Sequence, residues 1–203
     1  MLRTDQLRER MRLAATLNPS DFIETRVLSG PAYAFNDNPE SYSELIGEIA
    51  AKLEVQADQL TLIGSAKIGF SLNKDHLLKL FDRRSDLDLV VVAPVLFDTA
   101  SLEVRLMQKE LELAGAEERR RLKRTRENIF NGYLRPDQLP LSASLAKDWF
   151  PRLSGPFDST LARRHPVKAW LFKSFDHAKI CYTEHHELVQ PQIRKMLTLR
   201  GDI

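Results

Sequence analysis

Apolar residues recur along this chain with two different periods, and the changes of period mark the predicted elements. Leu2, Leu7, Met11, Ala14 and Leu17 sit among charges at helical spacing, so a first helix is expected over 1–17, stopped by Asn18-Pro19. Residues 22–35 are broken by Gly30-Pro31 and read as a short strand followed by a loop. Leu45, Ile46, Ile49, Ala50 and Leu53 predict a helix over 41–53, and 58–63 reads as a strand that delivers Gly64-Ser65. In the spacer 70–84, Asn73-Lys74-Asp75 suggests a loop and 76–81 a helical turn. The continuous apolar run 87–94 is the pattern of a central strand buried on both faces, with Pro94 at its end.

The second half is more charged. Residues 99–131 favour helix, with Gly115 as a break between two helices, and 136–156 is expected to be loop-rich, with Trp149 and Phe150 as packing anchors. A further strand is predicted at 167–172. Ser174 then caps a terminal helix over 174–199 that Pro191 is expected to divide. The pattern is that of one α/β domain, core about 40–173, flanked by an N-terminal and a C-terminal helix.

Composition narrows the class. At 203 residues, 43 % hydrophobic and 29 % charged, the chain can bury a core without long disordered segments. It has no apolar run near the 18 to 20 residues that cross a bilayer. Met1-Leu2-Arg3-Thr4-Asp5 lacks the basic-then-apolar pattern of a signal peptide. The single cysteine, Cys181, cannot form an internal disulfide and is expected to be a small buried hydrophobe. A cytoplasmic protein with no membrane partner is the expectation. The net charge of +2 does not by itself argue for nucleic acid. Six of the eight residues 119–126 are basic, however, which reads either as a solvated helix face beside Glu117, Glu118 and Glu127 or as a surface for triphosphate or RNA.

The candidate chemistry lies in 62–92. A short apolar run ends in Gly64-Ser65, where the missing Cβ lets backbone amides approach an anion. Asp86 and Asp88 are two apart in an apolar run, so on a strand both carboxylates point to one face. Two such carboxylates repel unless a cation lies between them, and hard oxygen ligands suit magnesium. A phosphate cradle facing a magnesium-binding pair is what a nucleoside triphosphate requires.

This arrangement resembles the nucleotidyltransferase superfamily that includes DNA polymerase beta, the minimal nucleotidyltransferases and the bacterial oligonucleotide-signal synthases. Gly64-Ser65 and Ser85-Asp86-Leu87-Asp88-Leu89 carry the resemblance, which covers about a sixth of the chain. It implies a mixed sheet with flanking helices, and magnesium or manganese held by Asp86 and Asp88. It also implies a triphosphate held by Gly64, Ser65 and Lys67, and transfer of a nucleoside monophosphate to a protein, RNA or small-molecule acceptor.

One feature departs from the pattern. Catalytic relatives place a third acid on a later strand, whereas 167–172 carries Lys168 and no acid; Asp158 and Asp176 only flank it. That departure leaves a second implied reading, a nucleotidyltransferase-fold protein of toxin-antitoxin or phage-defence type that binds nucleotide or a partner without transfer. A third, structural or RNA-binding role would rest on the basic run 119–126. His185-His186, though beside Glu184 and Glu187, point in different directions on a helix and predict no metal site. Trp149, Trp170 and Phe172 read as core rather than as base-stacking platforms, and His165 and His177 show no partner pattern.

Overall fold

In the computed structural model, which describes residues 4–113 and 115–203, a four-stranded mixed sheet separates two helical layers. The strands are β1 (Leu60–Ile63), β2 (Leu87–Val92), β3 (Tyr133–Leu134) and β4 (Val167–Phe172), in spatial order β1-β2-β4-β3. β2 runs antiparallel to β1 and parallel to β4, and β3 pairs antiparallel with β4. The fold is therefore mixed α/β, as the alternation of periods implied.

The pleat of β2 sorts its residues between two cores. Leu87, Leu89 and Val91 face a cluster built with α3 (Pro39–Leu53), α5 (Pro94–Leu106), α7 (Ala116–Phe130) and α8 (Ser144–Ser154). Val90 faces the other cluster, built with α1 (Thr4–Thr16), α2 (Pro19–Phe22) and α9 (Phe175–Arg200). Full burial of a Leu or Val side chain contributes about 2 kcal/mol, so burial on both faces fixes the register of this strand. Two short helices complete the chain, α4 (Gly64–Ile68) directly after β1 and α6 (Gln108–Glu112) between α5 and α7. Among the described residues no helix is long and apolar enough to cross a membrane.

Several boundaries differ from expectation for identifiable reasons. Positions 1–3 of the first predicted helix lie outside the described residues. Residues 22–35 contain no strand: α2 continues as a π-helix over Ile23–Leu28. The alternation of Ile23, Thr25 and Val27 imitates a strand, but Phe22, Ile23, Val27 and Leu28 are the residues buried. β1 begins only at Leu60, after a 3-10 turn at Ala57–Gln59.

In the spacer the helical turn sits at Lys74–His76, and the chain then folds back so that Phe70 and Leu80 bridge. Gly115 stands at the N-cap of α7.

Internal prolines interrupt neither α8 nor α9. The expected loop at 136–156 contains α8, with Leu145, Trp149 and Leu153 buried on one face and Pro151 exposed on the other. Its N-terminus is capped from a distance, since Glu103 on α5 accepts bonds from the Ser144 amide (2.9 Å) and hydroxyl (2.8 Å). Trp149 is an anchor, donating its indole N–H to the Ala169 carbonyl at 3.2 Å, whereas Phe150 is exposed.

Pro191 does not divide α9. It is exposed, while Val189, Ile193 and Leu197 stay buried on either side of it. Gln190 donates to the Ala14 and Leu17 carbonyls (3.2 and 2.8 Å), and Arg194 to that of Ala15 (3.3 and 3.0 Å). These bonds satisfy the carbonyls at the end of α1 and hold α9 against it.

Candidate functional site

Gly64, Asp86 and Asp88 meet at one end of the sheet. Ile63 pairs with Asp88 in the β1–β2 ladder, so the turn that follows Ile63 folds over that carboxylate. Gly64 has φ +65, and a Cβ there would lie 2.9 Å from Asp88 Oδ2. Only glycine fits both the backbone and the space. Ser65 is half-buried in the first turn of α4, beside that contact.

Asp86 is fixed by the segment that enters β2. The Leu87 amide donates to the Pro166 carbonyl at 2.8 Å, and His165 Nδ1 lies 2.7 Å from the Ser85 carbonyl. A carbonyl can only accept, so Nδ1 carries the proton. The His165 ring also stacks on Phe81 at 5.0 Å, tying the spacer to the start of β4. His165 thus positions the Asp86 segment, a role its sequence surroundings did not signal.

The pleat places Asp88 on the same sheet face as Lys168, its register partner on β4. Lys168 Nζ lies 2.5 Å from Asp86 Oδ2. This bond raises the lysine pKa, and with 59 % of its side chain exposed the ammonium remains in contact with water. Asp88 is pushed up to about 6, chiefly by burial and then by the neighbouring Asp86 charge, with Lys168 and Arg135 opposing. One carboxylate therefore has a resident counter-cation and the other is short of one.

Beyond Asp88 an aromatic rail continues along the same face. Trp170 stacks with Tyr133 (5.8 Å) and Tyr182 (6.4 Å), and the Arg135 guanidinium lies over its ring at 4.4 Å. Arg135 is also held by Asp137 at 2.9 and 3.3 Å. Trp170 is half-buried and Phe172 fully buried, so only the latter is simple core. β3, which carries Tyr133, is only two residues long, and no periodic signal could have found it.

Lys67 is placed differently from the expectation. Its side chain is 2 % exposed, and its ammonium donates to the Gly30 carbonyl at 2.5 Å. Burial, with Arg10 nearby, lowers its pKa to about 8. It is a buried strut between α4 and the loop at Gly30, with neither Asp86 nor Asp88 among its partners.

The two acids that flank β4 do not supply a third carboxylate. The Asp158 amide donates to Glu48 of α3 at 2.7 Å, and Asp176 lies in the first turn of α9. Among the described residues no group of three His, Cys, Asp or Glu side chains is disposed to hold a metal ion. Asp86 and Asp88 offer hard oxygens on one face with a deficit of positive charge at Asp88, which fits one divalent cation completed by ligand and water oxygens. His186 is fully buried and stacked on Phe22 at 4.7 Å, well away from ligand duty. Cys181 is half-buried, and burial pushes its thiol up to about 11, so it is not a poised nucleophile.

Comparison of the chain with protein-family models, with curated proteins and with solved structures finds no match.

Proposed function

We propose that this chain is a nucleotidyltransferase-like protein that holds a nucleoside triphosphate with one magnesium ion at Asp86 and Asp88, without efficient transfer. The observation that carries the reading is the Lys168–Asp86 bond beside an Asp88 carboxylate that lacks a counter-charge. Magnesium, or manganese in its place, would supply charge neutralisation of the triphosphate. Asp88 and Asp86 would be its protein ligands, the Ser65 hydroxyl would donate to a terminal phosphate, and Gly64 would allow that approach. Lys168, at the position a third acid would need, supports holding over turnover, because an ammonium there opposes a second cation.

A second reading is favoured by the exposure of Lys168. An arriving phosphate can draw the ammonium off Asp86 and free that carboxylate. The site would then transfer a nucleoside monophosphate through a single ion to an oxygen of a protein, RNA or small-molecule acceptor, with the α–β phosphoanhydride bond broken and pyrophosphate leaving. Incubation with each α-labelled nucleoside triphosphate, magnesium and a cell extract separates the two. Unchanged nucleotide bound to the wild type supports holding, and label on an acceptor supports transfer. Label that persists in the Asp86→Ala/Asp88→Ala variant overturns the site itself.

A further inference from the structure

On the opposite side of the sheet from the paired aspartates, α5 and α7 leave an open groove of about 490 Å³. Its floor is aliphatic, with Val104 buried and Ile129 half-buried. Its rim carries two large apolar side chains turned into water, Leu102 at 55 % and Phe130 at 90 % exposure. Together with the aliphatic floor they form a contiguous apolar patch that a partner could cover.

The charged residues that line this groove are Arg105 and Arg126, both exposed and neither with an acidic partner among the described residues. Lys123 and Arg119 continue the positive stripe along α7, three and seven residues before Arg126. We propose that the groove docks an acidic amphipathic helix of a partner protein. Its apolar side chains would enter between Leu102, Ile129 and Phe130, and its carboxylates would pair with Arg105 and Arg126. Single-stranded RNA fits less well, because an aliphatic floor with one aromatic ring gives successive bases nothing to stack on. This surface does not depend on the nucleotide reading.

The test uses a fluorescently labelled helical peptide of about 14 residues, with Leu at i, i+3, i+4 and i+7 and Glu elsewhere. A Lys-for-Glu sibling and a uridine oligonucleotide serve as the competing probes. The acidic peptide is expected to bind the full chain at micromolar concentration. Arg105→Glu/Arg126→Glu and, separately, Phe130→Ala should each weaken it about tenfold or more, with unchanged melting curves. Hydrogen-exchange protection should appear on α5 and at the end of α7. Equal binding of the Lys sibling, absence of binding by the acidic peptide, or tighter binding of the oligonucleotide lost in the same variants overturns the proposal. A concentration-dependent dimer broken by Arg105→Glu/Arg126→Glu would assign the groove to a second copy and overturn it as well.

Discussion

The Lys168 ammonium lies 2.5 Å from the Asp86 carboxylate while its own register position is opposite Asp88. It reaches back along β2 and neutralises one member of the aspartate pair, leaving the more buried member only partly offset by Lys168 and Arg135. Replacing Lys168 by Glu turns this balance over, since three carboxylates would then share the face. Manganese titration followed by electron paramagnetic resonance is expected to show weak single-ion binding in the wild type. Lys168→Glu should bind at least about tenfold more tightly and gain a second ion, an affinity change worth about 1.4 kcal/mol. An unchanged titration would mean that Lys168 does not set the cation count.

Asp88 makes the protein's stability depend on pH in a defined window. Its pKa rises from 3.8 to about 6 on folding, so between those values the folded state binds the extra proton. Stability contributed by the protonated form is therefore present below pH 3.8 and lost as pH rises through about 6. Asp88→Asn is expected to stabilise the protein at pH 7 by up to about 3 kcal/mol and to remove this part of the pH profile. A bound divalent cation favours the ionised form, so magnesium should raise Tm more at pH 7 than at pH 5. Thermal melts at the two pH values, with and without magnesium, check both statements.

Gly64 and Lys67 separate the site from its supports. Gly64→Ala places a Cβ 2.9 Å from Asp88 Oδ2 at a φ of +65. The backbone conformation alone costs about 1–3 kcal/mol, and the displaced carboxylate should lose magnesium-dependent nucleotide binding. Lys67→Met is expected to leave nucleotide affinity within about twofold of wild type, because its ammonium is spent on Gly30. Isothermal titration of both variants with a non-hydrolysable triphosphate decides this. A large loss in Lys67→Met would return that lysine to the phosphate site.

His186 governs a different part of the pH profile. Its ring is fully buried, and burial lowers its pKa from 6.5 to about 4 against an opposing interaction with the Ala14 backbone. The unfolded chain binds the extra proton between those values, so stability should fall as pH drops from 6.5 towards 4. His186→Phe keeps the stack on Phe22, removes a buried and poorly satisfied imidazole, and is expected to gain about 1 kcal/mol at pH 7. Denaturant unfolding of the variant at pH 7 and pH 5 checks the gain and its pH dependence.

Strands β1, β2 and β4 and the aspartate pair were legible because their signals are local. The apolar run of β2 and the two-residue spacing of Asp86 and Asp88 need no partner to be read. Features that depend on distant contacts were not. The α8 helix starts on a cap from Glu103, forty-one positions away, and runs past Pro151 because Leu145, Trp149 and Leu153 bury one face. α9 passes Pro191 because Gln190 and Arg194 bind the end of α1. Within the site, Lys67 follows Gly64-Ser65 so closely that a phosphate role is the natural expectation, yet helical geometry turns it into the core. Arg135, Tyr133 and His165 reach the site through a two-residue strand and a loop, which leave no periodicity to read.

The most direct measurement is equilibrium binding of each α-labelled nucleoside triphosphate, with and without magnesium, to wild type and to Asp86→Ala/Asp88→Ala. The bound nucleotide is then recovered and resolved by chromatography. The expected result is magnesium-dependent binding to the wild type alone, with the triphosphate recovered intact. Binding that is absent from the wild type, or equal in the double variant, would contradict a nucleotide site at Asp86 and Asp88.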